Sequence, residues 1–257
     1  ICSSLKISLD GKYLLCDVNT GPDALDKDRR HILQVSVDKA DMKVLTPGNG
    51  NEWTALALEN NKGIVYIGST PQKAPQVIFK LDAAAPKSLT ASLFPTEYPE
   101  KLLIEPKQVI FKSLDGLSIH AQIFDNSNGT QKKPAIIFVH GGPPRQMLLG
   151  WHYSDYYANA YALNQYLANL GFVVLSVNYR LGIGYGYEFQ HPKSAGHLGA
   201  SEYLDIKAAG EWLATQSFVD AKKIGIYGGS YGGYLTALGL ARDSKLFAAG
   251  VDIHGVH

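Results

Sequence analysis

Sulfur is scarce in this chain, whose 257 residues include two cysteines and two methionines. Cys2 and Cys16 cannot make a disulfide framework, and they form no metal-ligand pattern. The expected state is a pair of buried free thiols on neighbouring strands, with a single bridge between them as the alternative. Charge of one sign is also lacking. Lys plus Arg number 24 against 23 for Asp plus Glu, a net charge of +1, so neither nucleic acid nor an acidic membrane surface is expected as a partner. No apolar run approaches the ~18 residues needed to span a bilayer. The eight histidines contain no H-E-x-x-H or comparable ligand pair, so no metal is expected. Gly182, Gly184 and Gly186 are spaced G-x-G-x-G rather than G-x-G-x-x-G, and no helix is expected to open after them. No dinucleotide or other cofactor is therefore expected. A secretory leader is absent, but the chain begins Ile-Cys-Ser-Ser rather than with methionine. Its true N-terminus is expected upstream, which leaves the compartment open.

What is present is an ordinary globular composition, 46% hydrophobic and 18% charged, with room for one large domain or two smaller ones. Residues 1–104 read as all-β. Alternating runs such as Leu5–Leu9 and Tyr13–Val18 flank Asp10-Gly11, a hairpin signal. The pattern repeats. Asp10-Gly11-Lys12 with Leu14-Leu15 returns as Asn60-Asn61-Lys62 with Ile64-Val65, and Leu33–Asp38 with Leu45-Thr46 returns as Val77–Asp82 with Leu89-Thr90. A period of 44–50 residues with four short strands per unit is the requirement of β-propeller blades. Two copies do not close a propeller, so the remaining blades are expected upstream; a small β-sandwich is the alternative. Pro95, Pro99 and Pro106 mark residues 92–106 as a linker.

Beyond the linker, strand and helix patterns alternate. A hairpin over Val109–Lys112 and Ser118–Phe124 turns at Asp115-Gly116, and Asn126-Ser127-Asn128-Gly129 is a loop. Buried strands are expected at Ala135–Val139, Phe172–Val177, Ile224–Tyr227 and Ala248–Ile253, the last apolar enough to be interior. Helices are expected at Tyr157–Leu170, closed by Gly171, and at Ser201–Thr215. Such alternation means a mainly parallel α/β sheet. The chemistry centres on Gly228-Gly229-Ser230-Tyr231-Gly232, a G-x-S-x-G match between an apolar strand and a helix starting near Tyr234. That context is a nucleophile elbow, with the glycines sparing clashes and the helix N-terminus facing a developing oxyanion. The bland alternative is a Gly-rich turn with a solvated serine. A second signal lies upstream, where strand 135–139 runs into His140-Gly141-Gly142-Pro143, the kind of turn that supplies a second oxyanion N–H. Arg145 is either a holder of a substrate carbonyl or carboxylate or a loop brace. Trp151, His152, Tyr153, Tyr156 and Tyr157 read as a pocket rim or as interface packing.

His140-Gly141-Gly142-Pro143, then Asn178-Tyr179-Arg180 with Gly184-Tyr185-Gly186, then Gly228–Tyr234 resemble the prolyl oligopeptidase family of serine peptidases. Within it, the chain looks most like the acylaminoacyl-peptidase and bacterial dipeptidyl-peptidase branch. The resemblance implies C-terminal blades of a β-propeller over 1–104 and the N-terminal part of an α/β-hydrolase domain over 105–257. It implies Ser230 as nucleophile, the N–H groups of Gly142 and Tyr231 as oxyanion hole, and Tyr231 and Val256 at the substrate pocket. Leu181-Gly182-Ile183 departs from the family pattern beside the site. The triad of this fold runs Ser, Asp, His in chain order. Asp252, His254 and His257 follow Ser230 too closely, so acid and base are expected beyond residue 257 and the chain to be a fragment truncated at both ends, inactive by itself. The expected function is hydrolysis of short peptides through an acyl-enzyme, with the propeller restricting access. A carboxylesterase on the same fold and a non-catalytic scaffold are the alternatives. The expected partner is a peptide substrate, and assembly of identical chains is left open.

Overall fold

The computed structural model describes residues 2–59, 62–82, 84–126 and 131–257. They divide into two compact units, Ile1–Glu105 with Leu148–Ser154, and Pro106–Met147 with Asp155–His257.

The first unit holds two four-stranded antiparallel sheets. One is ordered β1 (Cys2–Ile7), β2 (Tyr13–Val18), β3 (His31–Ser36) and β4 (Met42–Val44). The other is ordered β5 (Asn51–Ala57), β6 (Gly63–Ser69), β7 (Gln76–Leu81) and β8 (Lys87–Ser88). The repeat maps onto equivalent strands. Asp10-Gly11 joins β1 to β2, and Gly11 takes the φ of +72° that the turn demands. The matching turn joins β5 to β6, and its Asn60 and Asn61 lie outside the described residues. Leu15 and Ile32 of one sheet pack with Ala55, Ile64 and Tyr66 of the other in one buried cluster. Cys16 is buried as expected, but Cys2 is exposed; both are free. Every residue of β1 is exposed because it is an edge strand. The excursion 148–154 joins this unit by hydrogen bonds that sequence periodicity does not reveal. Leu149 N–H donates to Asp28 O at 2.9 Å, and Asn51 Nδ2 to Trp151 O at 3.4 Å. The proline-rich stretch contains two single-turn 3₁₀ helices, Ala91–Leu93 and Glu100–Leu102.

The second unit is built on a six-stranded sheet. Its strands are β9 (Lys107–Lys112), β10 (Ser118–Phe124), β11 (Lys133–Val139), β12 (Val173–Asn178), β13 (Val219–Gly229) and β14 (Ala249–Ile253). The spatial order is β14-β13-β11-β12-β10-β9. Helices α1 (Asp155–Asn169), α2 (Tyr187–Gln190), α3 (Tyr203–Thr215) and α4 (Tyr231–Arg242) lie between strands in the chain. The sheet is mixed, with three parallel and two antiparallel pairings among the described residues. β11, β12, β13 and β14 pair in parallel, but β10 runs antiparallel to both β9 and β12. The β9–β10 pairing has a local cause: Asp115-Gly116 makes a tight hairpin, and a hairpin can join only antiparallel strands. One face of the central strands is wholly apolar, and the other buries Phe138 and Tyr227. Ile137, Val139, Leu175, Val177 and Ile224 are fully buried, and α3 adds Ile206 and Leu213; each such side chain contributes about 1.5–3 kcal/mol by leaving water. β14 is the outermost strand on its side of the sheet among the described residues, with Val251 exposed. Part of the expected loop at 126–129, residues 127–129, lies outside the described residues.

Candidate active site

β13 ends at Gly229 and α4 begins at Tyr231, so Ser230 is the single residue between them. Its backbone sits at φ 55°, ψ −119°, a conformation that costs a non-glycine residue about 1–3 kcal/mol. The surroundings impose it. Ser230 N–H donates to Ile253 O at 3.0 Å, and Ser230 O accepts from the N–H groups of Tyr234 at 3.1 Å and Val256 at 3.4 Å. The flanking glycines are required by contact. A Cβ on Gly228 would lie 2.7 Å from the carbonyl carbon of Gly232, and one on Gly232 would overlap Val139 O. Strand, helix and neighbouring strand thus touch backbone to backbone.

The turn after β11 packs against this elbow. A Cβ on Gly141 would lie 2.5 Å from Gly229 O and 3.2 Å from Ser230 Cβ, and Gly142 adopts φ +53°. Two tyrosines and a histidine hold the turn's carbonyls. Tyr179 Oη donates to His140 O at 2.8 Å, and Tyr157 Oη donates to Gly141 O at 2.8 Å. His140 Nδ1 is 3.1 Å from Gly141 O, which fixes the tautomer with the proton on Nδ1, since a carbonyl only accepts. The ring is fully buried and stacks on Tyr179 at 4.3 Å. Burial holds the imidazole pKa down at about 4, keeping it neutral. Arg145 braces the loop by donating to Pro144 O at 3.0 Å, and its guanidinium lies 3.7 Å from where a Gly142 Cβ would stand.

Tyr231 is tied from the other side. Its hydroxyl makes a short hydrogen bond to Glu202, a fully buried carboxylate that also accepts the Gly196 N–H at 3.1 Å. Burial first, then the bond to Glu202, raises the phenol's pKa. Val256, the other expected pocket residue, is exposed and adjoins the elbow through its N–H. Asp252 Oδ2 is 2.7 Å from His257 Nε2, and Asp252 Oδ1 accepts the Gly255 N–H at 2.7 Å. Ser230 Oγ makes no hydrogen bond among the described residues. The aromatic cluster is divided: Trp151, His152 and Tyr153 belong to the first unit, Tyr156 and Tyr157 to the second. Tyr156 Oη lies against Gly229. Gly186 does open a helix, contrary to expectation, but it is the four-residue α2.

Behind the site, Arg180 joins three elements. Its Nε and Nη2 reach Asp205 Oδ1 at 3.1 and 2.6 Å, its Nη1 reaches Asp115 Oδ2 at 2.6 Å, and Ser113 Oγ donates to Asp205 at 2.6 Å. Sequence reasoning missed Tyr157 as a partner of the turn after β11, and it missed Glu202 and Asp205 altogether. Their partners lie far along the chain, so no local spacing announces them.

Residues 159–257 match the model of the prolyl oligopeptidase family. A dipeptidyl aminopeptidase BIII of Pseudoxanthomonas mexicana is 33% identical over 68% of this chain and 24% of that protein. An acylamino-acid-releasing enzyme of Sus scrofa is 26% identical over 83% of this chain and 29% of its own length. Among solved structures, Pyrococcus horikoshii acylaminoacyl peptidase superposes with a TM-score of 0.74 at 23% identity, covering 99% of this chain and 37% of that one. The chain thus spans 24–29% of the length of these curated relatives. With an elbow serine, a glycine turn packed on it and these matches, the chain belongs to the prolyl oligopeptidase family.

Proposed function

We propose that the protein is a serine peptidase that cleaves short peptides through an acyl-enzyme on Ser230. The observation that carries this reading is the strained Ser230 backbone at the head of α4, packed against Gly141. In the proposed step, Ser230 Oγ attacks the scissile carbonyl carbon while a base takes its proton. The carbonyl oxygen becomes an oxyanion that accepts from the N–H groups of Gly142 and Tyr231. Collapse breaks the C–N bond and expels the amine, which takes the proton back from the base, and water later releases the acid. Tyr231 and Val256 would border the pocket, and Arg145 would meet a substrate carbonyl or carboxylate. The base and its orienting acid are assigned to residues outside 1–257: His257 is engaged by Asp252, and Ser230 Oγ has no partner among the described residues. Tested alone, residues 1–257 should fall on the order of 10⁴-fold below a longer chain that carries the base. The paired four-stranded sheets of the first unit are read as two propeller blades, and the propeller as the restriction on access.

The experiment is turnover of peptide naphthylamides against nitrophenyl esters by the full-length gene product. Efficient amide turnover, abolished by Ser230→Ala, is expected. Ester turnover alone would assign a carboxylesterase, and neither activity would leave a scaffold.

A further inference from the structure

A peptide group is planar and trans, so fixing its carbonyl on one edge fixes its N–H on the other. The peptide between Gly141 and Gly142 is held in this way, and the chain has no cis peptide bond among the described residues. Its carbonyl accepts Tyr157 Oη at 2.8 Å and faces His140 Nδ1 at 3.1 Å. Its opposite edge carries the Gly142 N–H, which donates to no group among the described residues. The donor polarity is set by the acceptor. A carbonyl oxygen can only accept, so the Tyr157 hydroxyl directs its own proton to Gly141 O. The tyrosine is buried at 7% exposure and lies on the first turn of α1, so its ring is fixed by packing as well as by this bond.

We propose that Tyr157 is a positioning residue of the oxyanion site, which through the Gly141 carbonyl aims the Gly142 N–H at the oxyanion. This rests on the assignment of Ser230 and Gly142 made above. The Gly142 N–H is not needed to bind the flat ground-state carbonyl, but the tetrahedral oxyanion requires it. Loss of the Tyr157 hydroxyl should therefore act on kcat and not on KM. The peptide keeps the His140 bond, so the donor is misdirected rather than removed. The expected fall in kcat is roughly five- to tenfold, the value of one neutral hydrogen bond.

The test uses full-length protein and three forms: wild type, Tyr157→Phe and Tyr227→Phe. The last deletes a buried phenol hydroxyl from the same packed cluster as Tyr157, one that donates to Asn164 Oδ1 on α1 at 2.6 Å and to no carbonyl of the turn. Active sites are titrated with a fluorophosphonate, and kcat is expressed per titrated site, so that a partly unfolded preparation does not lower it. Tyr157→Phe should lose kcat and peptidyl-boronate affinity by the same factor at unchanged KM, while Tyr227→Phe keeps both within twofold. Equal kcat and boronate affinity in wild type and Tyr157→Phe would overturn the proposal. So would an equal loss in Tyr227→Phe, which would mark a general effect of destabilising α1. A wild-type protein that the fluorophosphonate does not label at Ser230 would instead overturn the underlying assignment of the nucleophile.

Discussion

Replacing Asp205 by Ala should destabilise the second unit far more than replacing Asp115, although both carboxylates bind the same arginine. Asp205 is fully buried and accepts from Arg180 Nε, Nη2 and backbone N–H and from Ser113 Oγ. Without it, a guanidinium whose side chain is 6% exposed keeps the neutral Ser113 hydroxyl and, as its one countercharge, Asp115, whose own side chain is 43% exposed. Removing one partner of such a buried pair costs about 3–5 kcal/mol, because the remaining charge is left in a dry site. Asp115 is screened by water, so its loss should cost ~1 kcal/mol or less. At about 2–4 °C per kcal/mol for a unit of this size, Asp205→Ala should lower its midpoint by roughly 6–20 °C, and Asp115→Ala by no more than ~4 °C. Thermal unfolding followed by near-UV circular dichroism reads both. Equal shifts, or an Asp205→Ala midpoint within 2 °C of wild type, would refute the claim that Asp205 carries the network. The two carboxylates also separate with pH. The Arg180 hydrogen bonds push the Asp115 pKa down to about 2, so its contribution holds above the unfolded carboxylate pKa near ~4 and is lost only as pH falls through the depressed value.

Other outcomes follow from the same structure. Gly232→Ala should abolish turnover, to below about 1% of wild type, because a methyl there meets Val139 O and displaces the start of α4; steady-state assay of the folded variant checks it. In the first unit, His31 lies between Glu52 Oε2 at 2.9 Å and Asp26 Oδ1 at 3.0 Å. Burial opposes its charge, but the two carboxylates outweigh burial and raise its pKa. A raised histidine contributes fully below the unfolded value of ~6.5, and that stability is lost as pH rises through the folded value. Urea unfolding between about pH 6 and pH 9 should show this decline in wild type and not in His31→Gln.

The elements were legible where their signal was local. Asp10-Gly11 and Asp115-Gly116 announced their hairpins, the apolar runs announced β11, β12 and β13, and the glycines around Ser230 announced the elbow. The antiparallel placement of β10 beside β12 was not legible, because pairing depends on where the chain returns, not on the strand's own residues. Arg180 stood out in sequence, but Asp205, 25 residues on, reads as one more polar residue on an amphipathic helix. Tyr157 looked like one of several aromatics, and only its distance to Gly141 O distinguishes it.

The central claim is that Ser230 is a nucleophile activated in the full-length protein. The direct measurement is fluorophosphonate labelling of that protein, followed by digestion and mass spectrometry of the peptide containing Gly228–Tyr234. A single phosphonate adduct on Ser230, absent in Ser230→Ala and blocked by prior incubation with a peptide substrate, is predicted. No adduct on an intact, folded full-length chain, or an adduct on a different serine, would contradict the account.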